Sequence, residues 1–367
     1  MTLERARQLL AKAGLYLLAG LVLTEAALRL QQRLGPLLDL DIRPESAAIG
    51  SDLDFSDTLN HVATPGKGWD ADGIAEMDEP NASNCAPKML FMGDSFMQGL
   101  LGKHDTVPLH VRDYFAQALG REVCVFNAGH VSYSPSIYVV QARQLIPRLH
   151  PDIVLIDVDE TDLYDDYYRY RGLSRHDASD SIVAVRATPT FVQFHTAMVA
   201  SSQKLLYLHR LLDQLYVTHV YYPKIIKKYN IGREHDLFFA SRLPEVVARQ
   251  EYAQQIAYFG ATLDDLTNTV LRQIAGDASR LIYLHHPHLE HLQSRGDIFN
   301  NIVSETVAEV AARYHVAYYD ATDDLRTQMG DAPSKYYMPN DMHFSAAGYR
   351  LYGIDVAKYL ANLPAMH

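Results

Sequence analysis

The chain has 367 residues, 48% hydrophobic and 21% charged, a balance that excludes an intrinsically disordered protein. Its 44 acidic and 33 basic residues give a formal net charge of -11, so it lacks the basic face of a general nucleic-acid binder. Two cysteines, Cys85 and Cys124, are too few for a disulfide-built scaffold or a cysteine zinc cluster.

Arg5, Arg7 and Lys12 precede an unbroken apolar run from Ala13 to Leu23. Leu9 to Leu28 reaches the ~20 residues that span a bilayer, with Lys12 and Glu25 snorkelling toward opposite interfaces. Positive charge ahead of the run favours a signal anchor that keeps the short tail in the cytoplasm and exports the rest. A signal peptide cleaved near Thr24-Glu25-Ala26 and an amphipathic surface helix are the competing readings. Residues 1–34 are therefore read as a membrane anchor or signal segment. Residues 35–84, rich in Asp, Gly, Pro, Ser and Asn, are read as a linker and lead-in segment.

From Lys88 the pattern changes. Short apolar runs (Met89 to Met92, Val123 to Phe126, Asp152 to Val158, Leu281 to His285 and Val316 to Asp320) alternate with helix-length segments. That alternation predicts an α/β domain over 85–367, with a parallel sheet and crossover helices. A large, mostly helical insertion separates the third and fourth strands, at about 161–279. It carries helical patterns near Phe191 to Tyr216 and Leu243 to Ile274, and a basic, aromatic stretch from His219 to Asn230. In such folds ligands gather at the carboxyl ends of the strands.

Three pieces of sequence fall there. Gly93-Asp94-Ser95 follows the first strand, a tight strand-to-helix turn that lifts the Ser95 hydroxyl to the sheet edge; the bland reading is a helix cap. Asp341-Met342-His343 lies in the last loop, where His343 is placed to take the Ser95 proton and Asp341 to orient the imidazole. Gly129, just after the second strand, offers an unobstructed backbone N–H to an oxyanion.

Taken together these blocks resemble the SGNH/GDSL hydrolases, and specifically a membrane-anchored branch with an Asp-x-His variant of the last block. The resemblance implies a flavodoxin-like three-layer fold with Ser95 as nucleophile, His343 as base and Asp341 as its partner. It implies an oxyanion hole of the Ser95 and Gly129 amides. The family's usual Gly-x-Asn block after the third strand is absent from Asp157-Val158-Asp159-Glu160-Thr161-Asp162; Thr161 stands about where the Asn would be and is the candidate third donor. The more common Asp-x-x-His spacing would put Asn340 at the acid position, and Asp341 is preferred because an amide stabilises imidazolium poorly.

The expectation is an extracytoplasmic, membrane-anchored serine esterase or O-acyltransferase, periplasmic or at the cell surface. Its substrate would be an ester of a cell-envelope carbohydrate or lipid-linked molecule, and the anchor leaves room for a membrane-protein partner. The alternative is a non-catalytic binding or assembly protein that kept the fold. No cofactor and no metal are expected. His285, His286, His288 and His291 invite a metal reading, but Pro287 prevents regular i, i+4 pairing and no His-Glu-x-x-His pattern occurs. Tyr164, Tyr167, Tyr168 and Tyr170 are read as packing residues or as a wall over Ser95. Cys85 lies just before the first predicted strand and Cys124 within the second, neighbours in the flavodoxin-like order that the resemblance implies, which leaves a disulfide and two buried thiols both open.

Overall fold

The computed structural model describes residues 53–76, 81–102, 105–187, 245–294, 298–339 and 341–366, with Lys12, Tyr16, Ala19, Gly20, Val22 and Leu23. The chain divides into two compact units, Met1–Pro44 with Pro189–Phe238, and Glu45–Thr188 with Phe239–His367. Of the first unit only those six residues are described; they are helical and exposed. The rest of the expected anchor, the pattern from Phe191 to Tyr216 and the stretch from His219 to Asn230 lie outside the described residues. Among the described residues no helix is long and apolar enough to cross a membrane.

The second unit opens with an antiparallel hairpin, β1 (Leu53–Ser56) and β2 (Asn60–Ala63), within the segment read as a lead-in. A five-stranded parallel sheet follows, built from β3 (Lys88–Met92), β4 (Cys124–Asn127), β5 (Ile153–Val158), β8 (Leu281–His285) and β9 (Ala317–Asp320), in the order β4-β3-β5-β8-β9. These are the five expected apolar runs, each within one residue of its expected bounds. They read as continuous apolar runs because helices cover both faces, so both sets of alternating side chains are buried.

One face is closed by α2 (Val107–Leu119) and α10 (Ala346–Ala361), packed on Met89, Phe91, Val125, Leu155, Ile282 and Leu284. Thr106 caps the first of these by accepting from Leu109 N, and Gly120 ends it in the left-handed conformation at φ 62. Gly353 of α10 is required by close packing: a Cβ there would lie 2.6 Å from His110 Cβ. The other face carries α3 (Pro135–Leu149), α6 (Ala253–Gln273) and α8 (Ile298–Tyr314).

The crossover from β5 to β8 is long for an identifiable reason. The helix that makes the ordinary crossover is α6, and additional chain precedes it. That chain contains α4 (Glu160–Tyr164), a π-helix (Asp165–Tyr170) and the hairpin β6 (Ser174–His176) and β7 (Ile182–Val185). The buried Asp166 carboxylate holds the π-helix onto the start of α3, accepting from Ser134 Oγ at 2.5 Å and Ser136 N at 2.9 Å. Of the tyrosines, Tyr170 is buried with its hydroxyl on Ser132 O, whereas Tyr164 and Tyr168 are exposed.

The outer edge of β4 is not left open. Asn81 pairs its side-chain amide with both Val125 N (3.0 Å) and Val125 O (2.9 Å), and Ala75 N donates to Asn127 O. Cys85 is disulfide-bonded to Cys124, which ties the lead-in to the same edge strand.

Candidate active site

At the end of β3 the chain turns through Gly93 and Asp94 into the one-turn helix α1 (Ser95–Gln98). Asp94 caps it: its Oδ1 accepts from Phe96 N at 2.8 Å. Gly93 has no room for a side chain, since a Cβ would lie 2.6 Å from Met97 Cβ and 3.2 Å from Asp157 Cβ. The turn is thereby pressed against the end of β5, with Ser95 only 6% exposed.

The loop before α10 brings the other two residues. Tyr337 and Phe344 form an isolated antiparallel bridge, and Met338 N donates to His343 O at 2.8 Å. Phe344 is fully buried and anchors the loop from below, while Ser345 caps α10. The result is a hydrogen-bonded series. Ser95 Oγ lies 2.7 Å from His343 Nε2, and His343 Nδ1 lies 2.5 Å from Asp341 Oδ1. Asp341 Oδ1 also accepts from the His343 backbone N at 3.0 Å, so one carboxylate fixes the loop and the ring together. With Nδ1–H donated to Asp341, Nε2 is free to accept the Ser95 proton. Alcohol, imidazole and carboxylate stand in the order of a serine-hydrolase triad. Asn340 lies outside the described residues.

The expected oxyanion donors are placed less simply. The Ser95 N–H sits in the first turn of α1, where helices leave amides without an intrahelical acceptor. The Gly129 N–H, however, donates to Asn127 Oδ1 at 3.0 Å. Gly129 abuts α1 so closely that a Cβ would lie 2.5 Å from Gln98 N. Thr161 lies in the first turn of α4, where Asp159 is the cap. Its hydroxyl donates to Asp159 Oδ1 at 2.6 Å and its amide to the same oxygen at 2.8 Å. The single hydroxyl proton of Thr161 is thus spent on a carboxylate and not held toward Ser95.

Several residues that shape the site carry no motif. Asn127 Nδ2 donates to Met97 O (3.0 Å) and Gln98 O (3.3 Å), and Gln98 Oε1 accepts from Val131 N. These bonds clamp α1 to the loop after β4. The Phe96 ring lies 4.7 Å from the His343 ring and 4.2 Å from that of His286. On the other side His61, Trp69, His130 and Tyr133 pack as one buried aromatic group. Burial pushes His61 down to about 4 and His130 down to about 3, so both rings are neutral at pH 7.

Beneath the Ser95 turn lies a buried charged group from the ends of β5 and β8. Asp157 accepts from Tyr352 OH at 2.8 Å and faces His286, and Asp159 faces His288 at 2.7 Å. Burial, reinforced by Asp159, pushes the Asp94 carboxyl up to about 8. The pairing with His288 and His286 overrides the burial of Asp159 and holds it well below the ordinary range. His285 points elsewhere, its Nδ1 at 2.7 Å from Val158 O.

No family model matches the chain, and no curated protein is similar to it in sequence. Among solved structures, it is similar to a lipase/acylhydrolase from Enterococcus faecalis, with 14% identity and a TM-score of 0.41 over 75% of this chain and 95% of that one. It is also similar to an α/β hydrolase from the metagenome of Lake Arreo, Spain (15% identity, TM-score 0.42, 77% and 97% covered). An acetylxylan esterase from Geobacillus stearothermophilus gives 12% identity and a TM-score of 0.43, with 77% and 97% covered.

Proposed function

We propose that the protein is a serine esterase or O-acyltransferase that works through an acyl-enzyme on Ser95. The observation that carries this reading is the unbroken series from Ser95 Oγ through His343 to Asp341, with both contacts at 2.5–2.7 Å. Ser95 Oγ attacks an ester carbonyl while His343 Nε2 takes its proton, and Asp341 stabilises the imidazolium. His343 then returns that proton to the departing alcohol. Water or an acceptor hydroxyl, deprotonated by His343 in turn, releases the acyl group. The Ser95 amide, with the Gly129 amide as a donor shared with Asn127, would stabilise the developing oxyanion.

An exported, membrane-anchored setting and a carbohydrate or lipid-linked ester of the cell envelope complete the proposal. The apolar run Ala13 to Leu23 supports an anchor, as does the exposure of the helical Tyr16, Val22 and Leu23. The Cys85–Cys124 disulfide supports an oxidising compartment. Exposed Tyr164 and Tyr168, at the end of α4 and in the π-helix after it, offer aromatic faces of the kind that sugars stack on.

The test is hydrolysis of a short-chain aryl ester by the wild type beside Ser95→Ala. Activity abolished by the substitution supports the reading; equal activity in both removes Ser95 from the mechanism. A non-catalytic binding protein is the second reading. What favours it is that the Thr161 hydroxyl and the Gly129 amide already have protein acceptors.

A further inference from the structure

We propose that Asp159, His286 and His288 form a site for one divalent transition-metal ion of the zinc class, beneath the Ser95 turn. The proposal is independent of the esterase reading, since a non-catalytic protein would bind the ion equally well.

Three observations carry it. First, the ligand atoms of these three buried residues lie within 4.8 Å of one another. His286 Nε2 is 3.7 Å from Asp159 Oδ2, close to the roughly 3.3–3.5 Å that separates neighbouring ligands in a tetrahedral zinc site. His288 Nε2 is 2.7 Å from the same oxygen, a hydrogen bond that an ion would replace with a slightly wider ligand edge.

Second, His286 Nε2 is a fully buried nitrogen with no hydrogen-bond partner among the described residues, and it is turned toward Asp159. A buried polar atom left so is destabilising unless something coordinates it.

Third, each imidazole already has the outer partner that metal-bound histidines use. His286 Nδ1 lies 3.1 and 3.3 Å from the two Asp157 oxygens, and His288 Nδ1 lies 2.9 Å from Glu160 Oε1. Donating Nδ1–H to a carboxylate fixes the tautomer that leaves Nε2 as the ligand atom. Asp157 is itself held by Tyr352, and Phe96, Phe344 and Tyr352 pack around the His286 ring.

Two imidazoles and one carboxylate select zinc, cobalt or a similar ion over calcium or magnesium, which prefer all-oxygen sets. Three protein ligands leave a coordination position for water. Binding releases the Nε2 proton of His288 to solvent, and the ion takes its place between that nitrogen and Asp159.

The experiment uses the full chain, stripped with a chelator and titrated with Co²⁺. Expected are about one ion per chain, visible d–d bands of a four- or five-coordinate site, and displacement by Zn²⁺. His286→Gln and His288→Gln each weaken uptake about 100-fold or more, while His315→Asn at an exposed histidine leaves it unchanged. X-ray absorption on the zinc-loaded wild type covers the case in which those variants do not fold; two imidazoles in the first shell are expected. No stoichiometric uptake by the wild type, uptake unaltered in both folded variants, or a first shell without imidazole overturns the assignment.

Discussion

The backbone N–H of Gly129 donates to the side-chain oxygen of Asn127, 3.0 Å away, while the Asn127 amide nitrogen holds Met97 O and Gln98 O. One buried side chain therefore joins the loop after β4 to the helical turn bearing Ser95. Asn127→Ala breaks three hydrogen bonds, two of them buried, at about 1 kcal/mol each. The expected loss is about 2–3 kcal/mol in urea unfolding, with a fall in kcat larger than any rise in KM, because the turn and not a substrate contact is loosened.

Asp341 acts on the reaction through His343. Asp341→Asn keeps the size of the side chain but not its charge, and an amide can present its NH₂ to the ring and favour the wrong tautomer. Ester hydrolysis is expected to fall about 10³–10⁴-fold in kcat with KM little changed. A loss below tenfold in initial-rate measurements would show that the 2.5 Å contact is structural only.

The neutral pair His61 and His130 makes stability depend on pH in a definite direction. In the folded state His130 titrates at about 3, against an ordinary 6.5 for the exposed ring. Below pH 6.5 the unfolded chain binds the proton and the folded one does not, so stability falls as the pH falls toward 3. Buried aspartates whose carboxyls are pushed up act with the opposite sign, so the difference between wild type and His130→Phe isolates the term. By pH 4.5 the wild type is expected to lose about 2–3 kcal/mol relative to the variant, read by urea titration at each pH.

The disulfide closes 39 residues between the lead-in and β4. Chain-entropy arguments assign such a loop about 4 kcal/mol through its effect on the unfolded state. The double variant Cys85→Ser/Cys124→Ser is expected to unfold at lower denaturant by about that amount. The reduced wild type should behave like it, and a wild type insensitive to reductant would contradict the expectation.

The legible parts of this chain are those where one local rule dominates. The five strands are readable because a parallel strand buried on both faces must be apolar at every position, as Ile153 to Ile156 are. Ser95 and the Asp341–His343 pair are readable because each sits beside a strand or helix end, where the chain must turn anyway. The hairpin at 53–63 is not legible: its strands have four residues each, and the pairing depends on contacts made much later, such as Val185 N to Thr58 O. That the Thr161 hydroxyl donates to Asp159, two residues before it, is not legible in the spacing, because that cap exists only once α4 has formed. The histidine run after β8 could not be judged alone. Its third partner, Asp159, comes from the end of β5, and only the strand register Val158 to His285 brings the two together.

The central claim is that Ser95 is a nucleophile activated by His343. Treatment of the 367-residue chain with a fluorophosphonate, followed by peptide mapping in the mass spectrometer, tests it most directly. A single adduct on Ser95, strongly diminished in His343→Ala, is the predicted result. An unmodified Ser95 in folded protein, or labelling indifferent to His343, would contradict it.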